Sequence, residues 1–149
     1  MRDGLEAYDK RKGWRGPLTN KTNIKNWSNN LEKYDLESSI NWNIAIVKKI
    51  TKFSAEIETK DKTKGLIEFQ DISWTKKDFN ELLKSGDVIY VKHIKENKYS
   101  LKQIPKINGG IIVMDPYTGR VLALSGGFSF KSSEFNRASQ ALRQPGSAF

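Results

Sequence analysis

Few residues of this 149-residue chain have the type and spacing that catalysis demands. His93 is the only histidine, and it follows the apolar run Val88–Val91 without an acid or thiol partner. A surface or half-buried strand residue is therefore expected there, rather than a general base or a metal ligand. Asp115 and Glu134 do not make a carboxylate pair that could divide acid and base roles. There is no cysteine, which excludes a disulfide scaffold, a thiol nucleophile and a thiolate metal site. No Gly-rich phosphate loop, metal-ligand cluster or internal repeat is present, so neither a metal nor a cofactor is expected. The four tryptophans are scattered and expected to pack, with Trp74, near a loop, a candidate contact residue.

Charge is the next signal. Lys and Arg number 26 against 17 Asp and Glu, a formal net charge of +9. Twenty of the basic residues are Lys, and Asn and Ile are also abundant, the joint bias that A+T-rich coding sequence gives. The charge is spread as +2, +5 and +2 over residues 1–41, 42–106 and 107–149, so a basic tail for a polyanion is not indicated. A Lys-rich solvated surface accounts for it, with an anionic partner as the sharper reading. No apolar run approaches the roughly 18 residues that span a bilayer. Aromatics at 11% with many Ile and Val argue against full disorder.

The chain divides into three parts. Residues 1–41 open with a charged stretch, Arg2 to Lys12, and a break at Gly13-Trp14-Arg15-Gly16-Pro17. Ile24, Trp27, Leu31 and Tyr34 then recur at offsets of three and four, which predicts a short amphipathic helix packed on a neighbouring core. Residues 42–107 read as strands. Ile44 and Ile46 alternate with Ala45 and Val47, and Ala55 and Ile57 with Glu56 and Glu58. The turn residues Asp61–Gly65 make residues 54–70 a hairpin. A helical piece follows, with Thr75 as cap and Phe79, Leu82 and Leu83 on its apolar face; Val88–Val91 and Tyr99–Leu101 are further strands. Five strands with a helical insert after the third predict a small OB-like Greek-key barrel. Residues 108–149 begin with two apolar runs, Ile111–Met114 and Val121–Leu124, around Asp115-Pro116-Tyr117-Thr118-Gly119. They form a hairpin whose uniform hydrophobicity calls for a cover on both faces, supplied by the barrel or by sheet outside this chain. The predicted fold is mainly β: the barrel, a short flanking helix and this truncated hairpin.

Several segments resemble the class A penicillin-binding proteins, bifunctional enzymes that polymerise and cross-link peptidoglycan. Those matching the start of the transpeptidase domain are Asp115–Leu124, Ser125-Gly126-Gly127, Phe135-Asn136-Arg137-Ala138 and Arg143-Gln144-Pro145-Gly146-Ser147-Ala148-Phe149. Trp42, Trp74, Gly86-Asp87-Val88-Ile89 and Leu101-Lys102-Gln103-Ile104-Pro105 are similar to the family's OB-like insert. Tyr8-Asp9-Lys10-Arg11 and Gly13–Pro17 look like the connection leaving its glycosyltransferase domain.

The resemblance implies that Ser147 is the nucleophile of an S-x-x-K motif. A serine hydroxyl needs a nearby base, and a lysine three residues on along a helix is within reach of it. Desolvation lowers that lysine's pKa so that it can take the proton, and the helix N-terminus offers N–H groups to an oxyanion. The chain stops at Phe149, so that lysine is absent, as are the downstream S-x-N and K-T-G motifs. No penicillin adduct is therefore expected on these 149 residues. For the parent, the resemblance implies D,D-transpeptidation of D-alanyl-D-alanine stem peptides, glycan polymerisation from peptidoglycan precursors, acylation by β-lactams, and a position on the periplasmic side of the inner membrane behind an N-terminal anchor. The barrel is then a non-catalytic module that spaces the catalytic domains or docks a periplasmic regulatory protein or the glycan.

Two other classes remain open. An OB-type binder of single-stranded nucleic acid needs exposed aromatics among cations, for which Tyr90, Tyr99, Phe69 and Trp74 are the candidates. A serine β-lactamase also uses S-x-x-K, but the long barrel-like segment before the hairpin argues against it.

Overall fold

Strand alternation in the middle of the chain closes into a barrel. The computed structural model describes residues 1–21, 26–129, 131, 136–140 and 142. In chain order its elements are α1 (Arg2–Lys10), β1 (Thr19–Asn20), β2 (Asn43–Ile50), β3 (Ser54–Thr59), β4 (Lys64–Glu68), α2 (Phe69–Ile72), α3 (Phe79–Leu82), β5 (Asp87–Lys95), β6 (Lys98–Lys102), β7 (Ile111–Met114) and β8 (Val121–Ser125). Single 3-10 turns lie at Glu32–Tyr34 and Ser73–Thr75.

The barrel order is β5-β2-β3-β4-β6, and β6 pairs back onto β5. All pairings are antiparallel except β4 with β6, which meet in parallel at Leu66 and Lys98. This is the five-stranded OB arrangement, in which the third and fifth strands close the cylinder. Closure brings backbone very near a side chain at Gly65: a Cβ there would lie 2.3 Å from the Tyr99 ring. A register shift between Val47 and Lys49 bends β2, which pairs with β3 on one side and β5 on the other.

β2 is buried on both faces. Ala45 and Val47 point into the barrel with Ile57, Ile67, Ile89 and Leu101, and α2 and α3 plug the interior through Ile72, Phe79, Leu82 and Leu83. Ile44 and Ile46 point outward into a second cluster with Val88, Tyr90, Trp27 and Leu31. The segment before β2 therefore wraps the barrel and covers that outer face. β1 extends the wrap, pairing Thr19 with Val88.

The wrap differs from the expected helix. Ile24 lies outside the described residues, and residues 26–34 form turns and one 3-10 turn. Trp27 and Leu31 are buried and Tyr34 packs beside them, so the apolar set was legible although the helix was not. The cause is local: Asn29-Asn30 interrupt the segment, Asn30 has φ +61°, and Asn and Ser compete for the backbone hydrogen bonds that a helix requires. The flanking helix is instead α1. Its inward stripe is Arg2, Leu5 and Asp9, largely charged, which is why apolar periodicity did not reveal it. Asp3 in its first turn and Lys10 in its last complement the helix dipole.

The β7–β8 hairpin is a separate two-stranded sheet. The barrel does not cover it. Ile111, Ile112, Val113 and Met114 are exposed, as are Val121, Leu122 and Leu124, so both faces are open.

Candidate functional site

Ser147, the residue the sequence singles out, lies outside the described residues, as do Glu134, Phe135 and the whole run 143–149. What the structure describes is the machinery that leads the chain toward it. The turn after β7 is organised by Asp115. Its carboxylate accepts the Tyr117 N–H at 2.9 Å and the Thr118 hydroxyl at 2.5 Å. The Thr118 hydroxyl and the Tyr117 N–H hold the Asp115 carboxyl below its ordinary pKa. Asp115 is therefore a turn-capping residue.

At the hairpin's other end, β8 runs into Ser125-Gly126-Gly127. The turn at residues 136–140 sits directly on this base. Arg137 N–H donates to the Gly126 carbonyl at 3.1 Å, and the Asn136 side chain accepts the Ala138 N–H at 3.0 Å. A Cβ on Gly126 would fall 1.9 Å from Asn136 Oδ1, and one on Gly110 would fall 2.8 Å from Ala138 N. Two glycines thus let the 136–140 turn lie close on the hairpin base.

The hairpin is tied to the barrel by a second group. Asn108 Oδ1 accepts the Phe128 N–H at 2.7 Å. Phe128 is buried and its ring stands 5.5 Å from Trp42, which stands 6.0 Å from Tyr90 on the barrel wall. Arg2 of α1 reaches the same place: its Nε donates to the Phe128 carbonyl at 2.8 Å, while its guanidinium pairs with Glu37 and donates to the Ser39 carbonyl. Tyr90, beneath this stack, donates its hydroxyl to the Tyr34 carbonyl at 2.6 Å. Burial, with the neighbouring Tyr34 and Asp35, pushes its pKa up to about 12.

Sequence reasoning missed a third group, centred on Asp9. This carboxylate is only 2% exposed. It receives both arms of the Arg15 guanidinium at 2.9 and 2.8 Å, the Gln103 side-chain amide at 2.9 Å and the Lys106 N–H at 3.1 Å. Arg15 also donates to the Ile104 carbonyl at 2.6 Å, and Gln103 to the Gly13 carbonyl at 3.0 Å. A buried carboxylate is tolerable only with this many donors. One side chain therefore pins the chain entering the barrel to the chain leaving it. Nothing in the apolar pattern marks Asp9, although Asp9, Arg15 and Gln103 all stand in segments that carry the resemblance.

The remaining candidates fall away from chemistry. His93 is exposed, its Nε2 2.8 Å from the Glu96 carbonyl and its ring edge-on to Tyr99 at 5.2 Å. Among the described residues no group of His, Cys, Asp and Glu could hold a metal ion, and no helix is long and apolar enough to cross a membrane. Of the aromatics considered for base stacking, Tyr90 and Tyr99 are buried, Trp74 is half-buried and Phe69 is exposed.

Comparison with known proteins agrees with this geometry. Residues 14–107 match the family model described as penicillin-binding protein OB-like domain. The chain is 42% identical to penicillin-binding protein 1A of Rickettsia conorii over 151 residues, covering 99% of this chain and 19% of that protein. It is 31% identical to penicillin-binding protein 1A of Pseudomonas aeruginosa, covering 100% of this chain and 20% of the relative. A crystal structure of penicillin-binding protein 1A from Haemophilus influenzae superimposes with a TM-score of 0.77 at 31% identity, over 97% of this chain and 22% of that one. The chain thus spans about a fifth of the length of the relatives it matches.

Proposed function

The chain belongs to the penicillin-binding protein OB-like domain family, and from that premise we propose that it is part of a peptidoglycan synthase in which the barrel is a non-catalytic spacer. The observation that carries the spacer reading is the Asp9 group. The segments that precede and follow the barrel are bolted together by one buried carboxylate and four donors, so the barrel transmits position between whatever precedes α1 and whatever follows β6. Its interior is filled by apolar side chains rather than by groups that could do chemistry.

Residues 108–149 are, on this reading, the beginning of the transpeptidase domain. Its sheet would cover the two apolar faces of the β7–β8 hairpin, exposed here. Ser147 is the acyl-accepting nucleophile for D-alanyl-D-alanine stem peptides and for β-lactams, and peptidoglycan precursors are substrates of the parent's glycosyltransferase. The parent works on the periplasmic face of the inner membrane, anchored by a segment outside these residues. A periplasmic regulatory protein is the natural occupant of an exposed barrel face. The nucleic-acid reading has weaker support, because two of its four aromatics are buried.

The spacer reading is tested by Asp9→Asn in a longer protein that carries this chain. Thermal stability is expected to fall while the rate of penicillin acylation stays within about twofold. A loss of acylation as complete as that of Ser147→Ala would overturn the non-catalytic role.

A further inference from the structure

The Lys-rich surface is not uniform. Where α1 ends, Lys10, Arg11 and Lys12 face the turn that carries Trp74, Thr75 and Lys76, across a cleft of about 420 Å³. No carboxylate lines this cleft. Lys76 also borders a neighbouring hollow that Lys77, Asp78 and Glu81 line. Of the two acids that act electrostatically on Lys10, Glu6 bonds Lys102 at 2.5 Å and Asp71 is half-buried. Among the described residues none of Lys10, Arg11, Lys12, Lys76 and Lys77 is in an ion pair, whereas Lys48, Lys60, Lys98 and Lys102 all are.

The cations are aimed by aromatic rings. Lys10 Nζ lies 5.6 Å from the centre of the Trp74 ring, and Trp74 is held by its indole N–H to the Asp71 carbonyl at 3.1 Å and by an edge-on contact with Trp14 at 6.2 Å. Arg11 and Lys12 lie over the Tyr8 ring at 5.6 and 5.7 Å. A helix C-terminus attracts cations, which accounts for Lys10, Arg11 and Lys12 taken alone. It does not account for Lys76 and Lys77 on a separate element. Lys76 has φ +57°, a left-handed backbone that a non-glycine residue adopts only at a cost. Lys10 is part-buried where it meets the cleft, and that burial is the main cause that lowers its pKa.

We propose that this cleft binds a phosphate oxyanion of two or more negative charges, held between the α1 end and the Trp74–Lys76 turn, with the Trp74 ring beside it. A multivalent oxyanion offers acceptors to cationic donors on both walls at once. The cleft is larger than a phosphate group, so it admits the headgroup or sugar that carries it. This proposal is independent of the spacer role.

The test uses the 149-residue chain with inorganic pyrophosphate as probe, read by tryptophan fluorescence at low and moderate salt. Wild type is expected to saturate with one site. Lys10→Gln with Lys76→Gln should weaken binding at least about tenfold, while Lys62→Gln with Lys95→Gln, an equal loss of charge elsewhere, should change it less than about twofold. Circular dichroism melts of both double variants check that each is folded. A second arm measures cosedimentation with phosphatidylglycerol vesicles. Loss of cosedimentation in the Lys10/Lys76 variant alone places the phosphate on a lipid; pyrophosphate binding without cosedimentation places it on a soluble ligand. Equal weakening in both double variants, or no saturable binding in either arm, would overturn the proposal.

Discussion

Asp9 concentrates more polar bonding than any apolar pattern could announce, and its removal should be felt across the barrel. Asp9→Ala leaves the Arg15 guanidinium and the Gln103 amide without their common acceptor. Breaking a buried, bonded pair from one side is expected to cost about 3 kcal/mol, seen as a lower urea midpoint at unchanged slope. Tyr90 gives a pH-dependent counterpart. Its folded pKa, about 12, lies above the ordinary value of 10.0. The folded state therefore holds this proton more tightly, and the stabilisation is complete below pH 10 and is lost as the pH rises toward 12. Ultraviolet titration should show one of the five tyrosines ionising late, and Tyr90→Phe should abolish that phase. Asp115 has the opposite sign. Its pKa is depressed, so its contribution is present above the ordinary carboxylate pKa and is lost as pH falls through the folded value. Thr118→Val removes the first donor and should raise the Asp115 pKa in a carboxylate-resolved NMR titration.

Elements respond according to what touches them. Gly65→Val would drive a side chain into the Tyr99 ring where β4 and β6 close the barrel, at an expected cost of about 1–3 kcal/mol in a denaturant melt. Leu122→Lys, on a hairpin whose faces meet no barrel, should leave the melting temperature unchanged and reduce binding of a hydrophobic dye. The same contrast explains what the sequence made legible. Strands announced themselves because alternation is a local property: Ala45 and Val47 inside with Ile44 and Ile46 outside were readable directly. The helix read over 24–34 was misplaced because Trp27, Leu31 and Tyr34 recur at helical spacing for a tertiary reason, the need to cover β2 and β5. α1 went unread because its inward stripe is Arg2, Leu5 and Asp9, and charged residues declare themselves inward-facing only once their partners, some of them more than ninety positions away, are known. The hairpin's apolar runs were legible as strands, and the barrel does not supply their cover.

At the scale of the whole molecule the +9 charge separates into a solvated surface and a cleft lined by cations without a carboxylate. α1, the wrap and the barrel share buried contacts, and Arg2, Asn108 and Phe128 fasten the hairpin to them, the arrangement on which the proposed connector role rests. The candidate nucleophile was legible only through motif resemblance, since one serine before the chain's last two residues has no local physical signature. The central claim is that this connector delivers Ser147 to the acylation chemistry of a peptidoglycan synthase. The direct measurement is peptide-mapped mass spectrometry of a longer protein carrying this chain after incubation with a β-lactam. The account predicts the acyl mass on the peptide containing Ser147 and its disappearance in Ser147→Ala. Acylation mapped to another serine, or persisting in that variant, would contradict it.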